Sequence, residues 1–129
     1  MYRAVNQYLE NEIKNASPLD LILMLYNKSL SCLKIAKKAI QQGLDNLENL
    51  RKKAENIEKA TEIIAHLQSC LNFEKGGEIA KNLNEIYGIL ISELIKANLE
   101  NNPETIEKAI ITLENLKKAW ENIKTNGNL

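Results

Sequence analysis

His66 is the chain's single histidine, and it stands four residues from a carboxylate and four from a thiol. Glu62, His66 and Cys70 therefore share one face of any helix that contains them. These are metal-ligand types, but a closed zinc site takes three or four ligands, and a di-iron bundle needs two Glu-x-x-His pairs with two further carboxylates. One histidine supplies neither. The trio reads as a partly buried histidine, hydrogen-bonded within a helical bundle, and no metal or cofactor is expected. Cys32 and Cys70 read as packing residues: on antiparallel helices that turn near residue 44 they lie about 21 Å apart along the axes, against the ~7 Å between Cα atoms that a disulfide allows.

The remaining candidates for chemistry are weaker. Glu74-Lys75-Gly76-Gly77-Glu78 is glycine-rich but lacks the spacing and the lysine-hydroxyl ending of a phosphate loop, so it reads as a connector. Ser29, Ser31, Ser69 and Ser92 have no base arranged beside them by any local motif. No catalytic constellation is present, and the chain is expected not to be an enzyme. Its 17 basic and 17 acidic side chains balance, so it lacks the cationic footprint of a nucleic-acid binder. The short basic runs Lys34-Lys37-Lys38 and Arg51-Lys52-Lys53 read as solvated helix faces. Met1 to Pro18 shows no continuous apolar leader. The run Leu21 to Tyr26 is far short of the ~20 residues that span a bilayer. A soluble, cytoplasmic protein with free thiols is the expectation.

The elements that hold these residues are helices. Only two prolines and five glycines punctuate 129 residues. Ser17-Pro18 pairs an N-cap with proline at a first helical position, Asp20 complements the positive helix end, and Gly43 supplies a stop. A second helix runs from about Asp45 or Asn46 to Asn72, with Leu47, Leu50, Ala54, Ile57, Thr61, Ile64, Gln68 and Leu71 as its seam. After the break at 72–77, a third carries Ile79, Leu83, Ile86, Leu90, Leu94 and Ala97. Asn101-Asn102-Pro103 closes it and opens a fourth with Ile106, Ile110, Leu113, Leu116, Trp120 and Ile123. Short connections make neighbours antiparallel. The expected fold is all-α: an antiparallel four-helix bundle over 17–125, an N-terminal arm or short extra helix over 1–16, and a frayed end over 126–129.

The apolar surface exceeds what such a bundle needs. Leu19 and Leu21 to Tyr26 point all round the first helix, and Ile86 to Ile95 cover an arc of about 240° where a stripe a little over ~100° suffices. Either the arm covers the remainder, or the bundle dimerises, or a groove there receives the apolar helix of a partner, with the arm as a removable lid. Gly88 would let a partner backbone approach, or serve packing between core helices.

Ala16-Ser17-Pro18-Leu19-Asp20-Leu21-Ile22-Leu23-Met24-Leu25-Tyr26 resembles the opening of the flagellar secretion chaperones that bind flagellin, the FliS family. Tyr8, Asn11 and Ile13 upstream fit the same pattern, as do Glu74 to Glu78, Leu94, Ala97 to Asn102 and Ala119-Trp120 downstream. Val5 stands where the family often has a second tyrosine, and Lys28 replaces a common small residue. The resemblance implies a cytoplasmic chaperone that holds the disordered C-terminal segment of flagellin. The segment would become helical and wrap around the bundle, premature polymerisation would be blocked, and the complex would dock on the flagellar export apparatus. Tyr8, Leu21, Met24, Leu25, Tyr26, Tyr87, Leu90, Ile91 and Leu94 are the expected partner-facing surfaces. Some of these must serve as core instead, since periodicity does not fix which side of a helix faces a partner. The alternative is a self-associating homodimer with no flagellin client.

Overall fold

Asparagine, proline and glycine set the boundaries of four helices. The computed structural model describes residues 18–125. Helix α1 spans Pro18–Gln42, α2 Leu47–Ser69, α3 Phe73–Glu100 and α4 Pro103–Thr125. Gly43, at φ +111°, ends α1 in a backbone conformation that side chains disfavour. The Asn46 side chain accepts from the backbone N–H groups of Glu48 and Asn49, and Asn72 accepts from Lys75, so both act as N-caps. Asn101 closes α3 in the left-handed conformation (φ 55°, ψ 43°), and the Asn102 side chain accepts from the Glu104 N–H at the start of α4. Among the described residues there is no strand. The arm over 1–16 with Tyr8, the Ser17 cap and the end at 126–129 lie outside the described residues.

The helices form a closed ring in which α1 packs on α2 and α4, and α3 packs on α2 and α4. Its centre is filled by Tyr26, Leu33, Ile57, Ile64, Tyr87, Leu94, Ile106 and Leu113, all essentially inaccessible. This is the expected all-α four-helix bundle.

Three details differ from the sequence reading. First, α2 is rotated from the expected seam: Ile57 and Ile64 are buried as expected and Leu71 packs on the core, but Lys53, Asn56, Ala60, Ile63 and Leu67 are buried beside them, while Leu47 is 80% exposed and Leu50 is also exposed. The reason is Lys53, whose Nζ donates to the Asn98 carbonyl (3.1 Å) and to Asn101 Oδ1 (2.8 Å). An ammonium there satisfies carbonyl and amide acceptors at the C-terminal end of α3, and a stripe drawn through apolar residues alone passes over it. Burial holds the Lys53 pKa below its ordinary value. Second, α3 begins four residues before Gly77 and kinks there (φ 51°, ψ −127°) instead of starting after a loop, which leaves Ile79 exposed. Third, His66 and Cys70 are exposed rather than packed. His66 Nε2 lies 3.7 Å from Cys70 Sγ. Cys32 is buried, and both thiols are free. Burial pushes the Cys32 thiol above its ordinary range, against the pull of Lys28 and Lys59. Among the described residues no cluster of three or more His, Cys, Asp or Glu side chains is assembled for a metal ion.

Candidate helix-binding groove

Helix α3 carries a second apolar flank beside its core stripe. Ile91, Ile95 and Leu99 recur every four residues and so stack on one side of the helix. Ile91 is half-buried, Ile95 is 52% exposed and Leu99 is 80% exposed. Facing them, α2 presents Ala54, Thr61 and Ala65, whose short side chains leave room between the helices. The result is an open groove of about 420 Å³, with Ile57 and Asn98 completing its floor. Beyond the groove, toward the start of α3, Gln68 Nε2 donates to the backbone and side-chain oxygens of Asn84 (3.1 and 3.0 Å), tying α2 to α3. A methyl group at Gly88 would meet Gln68 at an ordinary 3.6 Å, so packing between α2 and α3 does not require glycine there.

Two carboxylates, Glu58 and Glu62, line the α2 side of the groove. They lie one turn apart, and among the described residues neither is in an ion pair. Burial, and then the charge of Glu58, hold the Glu62 pKa above the ordinary carboxylate value. A cation entering the groove would relieve both. The arrangement contains no nucleophile held by a base. What it offers is shape, apolar area and unneutralised negative charge, the means of holding a helix with an apolar ridge and a basic or amide-bearing edge.

The residues expected to face a partner divide. Leu25, Tyr26, Tyr87, Leu90 and Leu94 are buried in the core. Leu21, Met24 and Ile91 are half-buried, and Tyr8 lies outside the described residues. Tyr26 and Tyr87 do come together, but inside the bundle: their hydroxyls are 2.5 Å apart, and the Trp120 indole N–H donates to Tyr26 at 3.1 Å. Burial first, then the hydrogen bond to Tyr26, pushes the Tyr87 phenol up, and burial does the same to Tyr26. Leu21 and Met24 belong to a second thinly covered region at the start of α1, where Leu116, Trp120 and Ile123 of α4 are also half-buried and Lys124 pairs with Asp20. The sequence reading missed Leu99, Ala54, Thr61 and Ala65 as groove residues. Their signal was present: a four-residue apolar repeat on α3 opposite small residues on α2.

Known proteins share this chain's pattern along its length. Residues 1–127 match the family described as Flagellar protein FliS. The chain is 39% identical over 116 residues to the flagellar secretion chaperone FliS of Salmonella typhimurium, covering 89% of this chain and 82% of that protein. It is 35% identical over 123 residues to FliS of Campylobacter jejuni, covering 95% and 92%. With FliS of Vibrio cholerae it shares 35% identity over 115 residues, covering 89% and 81%. These relatives are named as chaperones, a role without catalysis. By sequence along its whole length and by its four-helix architecture, this chain belongs to the FliS family of flagellar secretion chaperones.

Proposed function

We propose that this protein is a cytoplasmic export chaperone that binds the disordered C-terminal segment of flagellin, prevents premature filament polymerisation and delivers the segment to the flagellar export apparatus. The observation that carries this reading is the α2–α3 groove, with Ile95 and Leu99 exposed on one wall, in a chain of this family. No helix of the described residues is long and apolar enough to cross a membrane. A flagellin segment folding as a helix lays its apolar ridge between Ile95, Leu99 and the short side chains of α2, and its polar edge meets Glu58 and Glu62. The segment loses conformational entropy as it orders. Apolar burial and internal backbone hydrogen bonds offset that loss, so no nucleotide is required.

Calorimetric titration with the C-terminal segment of the cognate flagellin tests this. One-to-one binding with a large negative heat-capacity change is expected. Burying an aliphatic side chain of this size contributes about 1.5–3 kcal/mol. Replacing both Ile95→Asp and Leu99→Asp should therefore weaken binding by about a hundredfold or more, with helix content unchanged because both positions are exposed. If the segment does not bind at tens of micromolar while the protein self-associates through Ile95 and Leu99, the homodimer reading replaces the chaperone one.

A further inference from the structure

The bundle distributes its charges unevenly around α1. On the flank of α1 that turns toward α4, Lys34 lies 3.6 Å from Glu114 and Lys37 lies 2.8 Å from Glu107. On the flank that turns toward α2, cations meet cations. Lys38 of α1 and Lys52 of α2 border one shallow depression of about 320 Å³ together with Ile35, Ala39 and Gln42, and Ile35 is 45% exposed. Toward the start of α1 on the same seam, Lys28 and Lys59 both act on the buried Cys32 thiol. Among the described residues none of these four lysines is in an ion pair or side-chain hydrogen bond. Of the neighbouring acids, Arg51 holds Glu48 at 2.6 Å and Glu55 at 3.7 Å, so Glu48 feels Lys52 only at longer range, while Glu58 and Glu62 beside Lys59 line the α2–α3 groove.

Like charges facing one another across two packed helices are unfavourable for the isolated bundle. The chain has as many acids as bases and places acids opposite α1's lysines on the α4 side, so the two flanks of α1 differ in how their lysines are neutralised. We infer that the α1–α2 face is a docking surface for an acidic segment of a partner protein. An apolar side chain of that segment covers Ile35, and its carboxylates meet Lys38 and Lys52 at one end and Lys28 and Lys59 at the other. From Lys28 to Lys38 the seam runs about 15 Å along α1, the reach of three turns of an acidic amphipathic helix. Nucleic acid is disfavoured by the neutral chain, and a membrane by the single large apolar side chain, Ile35, at the depression. The surface adjoins the α2–α3 groove on the other side of α2 and is independent of how that groove is used.

The test uses the full chain and a fluorescent helix-forming peptide with one leucine face and one glutamate face. A matched peptide with glutamine for glutamate is the comparison, and binding is followed by anisotropy at about 50 and 300 mM salt. The glutamate peptide should bind about tenfold more tightly than the glutamine peptide at the lower salt, and the difference should shrink at the higher. The exposed pair Lys38→Gln/Lys52→Gln should abolish that difference without lowering the thermal midpoint. Lys117→Gln/Lys118→Gln, on an α4 surface that also carries Glu114 and Glu121, should preserve it. Equal affinity for the two peptides overturns the inference. So does full binding by the Lys38/Lys52 variant, or an equal loss in the Lys117/Lys118 variant. Attachment to phosphatidylserine vesicles without binding of the glutamate peptide also overturns it, and assigns the face to a membrane.

Discussion

Tyr26 and Tyr87 show how little a side chain's type says about its direction. A tyrosine on an apolar helix face suits a partner surface, since its ring is apolar and its hydroxyl wet. Here the two hydroxyls answer each other across the ring's diagonal, and Trp120 supplies a further donor, so the polar ends are satisfied without water. No spacing rule links positions 26, 87 and 120, which is why the network was not legible in the sequence. The two hydroxyls are not equivalent. Tyr26→Phe leaves both the Trp120 N–H and the Tyr87 hydroxyl unpaired and should cost about 2–3 kcal/mol, whereas Tyr87→Phe leaves Tyr26 with its Trp120 donor and should cost about 1 kcal/mol. Urea unfolding of the single and double variants measures the difference; equal single costs would remove the shared role of Tyr26. Both phenols are held above the ordinary 10.0. The unfolded chain therefore releases these protons first as pH rises. Their contribution is complete below pH 10 and is lost as pH rises beyond it. Unfolding followed by Trp120 fluorescence should show stability falling above pH 10, and less steeply in Tyr87→Phe.

At the scale of the helix, punctuation was legible and facing was not. Pro18, Gly43, Asn46 and Pro103 mark ends that a reader of caps places within a residue or two, because each acts through local backbone geometry. The inward face of α2 depends instead on Lys53 reaching acceptors 45 and 48 residues away, which no local pattern encodes. The start of α3 lies between these cases. Two adjacent glycines suggest a loop, yet the helix passes through them with one kink. Gly77 holds φ 51° and ψ −127°, a combination that side chains avoid, although a Cβ there would meet no atom within 4 Å. Gly77→Ala should therefore cost about 1–3 kcal/mol from backbone strain alone. Gly43→Ala, also at positive φ with open space, serves as the comparison in thermal melts. A Gly77→Ala protein as stable as the parent would mean the kink straightens at no cost.

For the whole molecule, the closed ring separates the α2–α3 groove from the basic α1–α2 face while joining both through α2. The all-α architecture followed from composition and punctuation. The excess apolar surface was also legible, though its place was not, because the residues richest in hydrophobicity filled the core and the groove fell to Ile95 and Leu99 at its margin. Such a groove exists only when α2 and α3 are packed side by side, so a helix bound in it stabilises the entire ring and not one element. A ligand that binds only the folded state at a free concentration a hundred times its dissociation constant adds about 2.7 kcal/mol. Urea unfolding with excess flagellin segment should therefore move to higher midpoint as one cooperative transition, and rise further with the logarithm of segment concentration. The Ile95→Asp/Leu99→Asp variant should lose most of that gain at the same segment concentration. A segment that bound tightly yet left the midpoint unmoved would have to bind the unfolded chain equally well, which a groove built by packed helices does not permit.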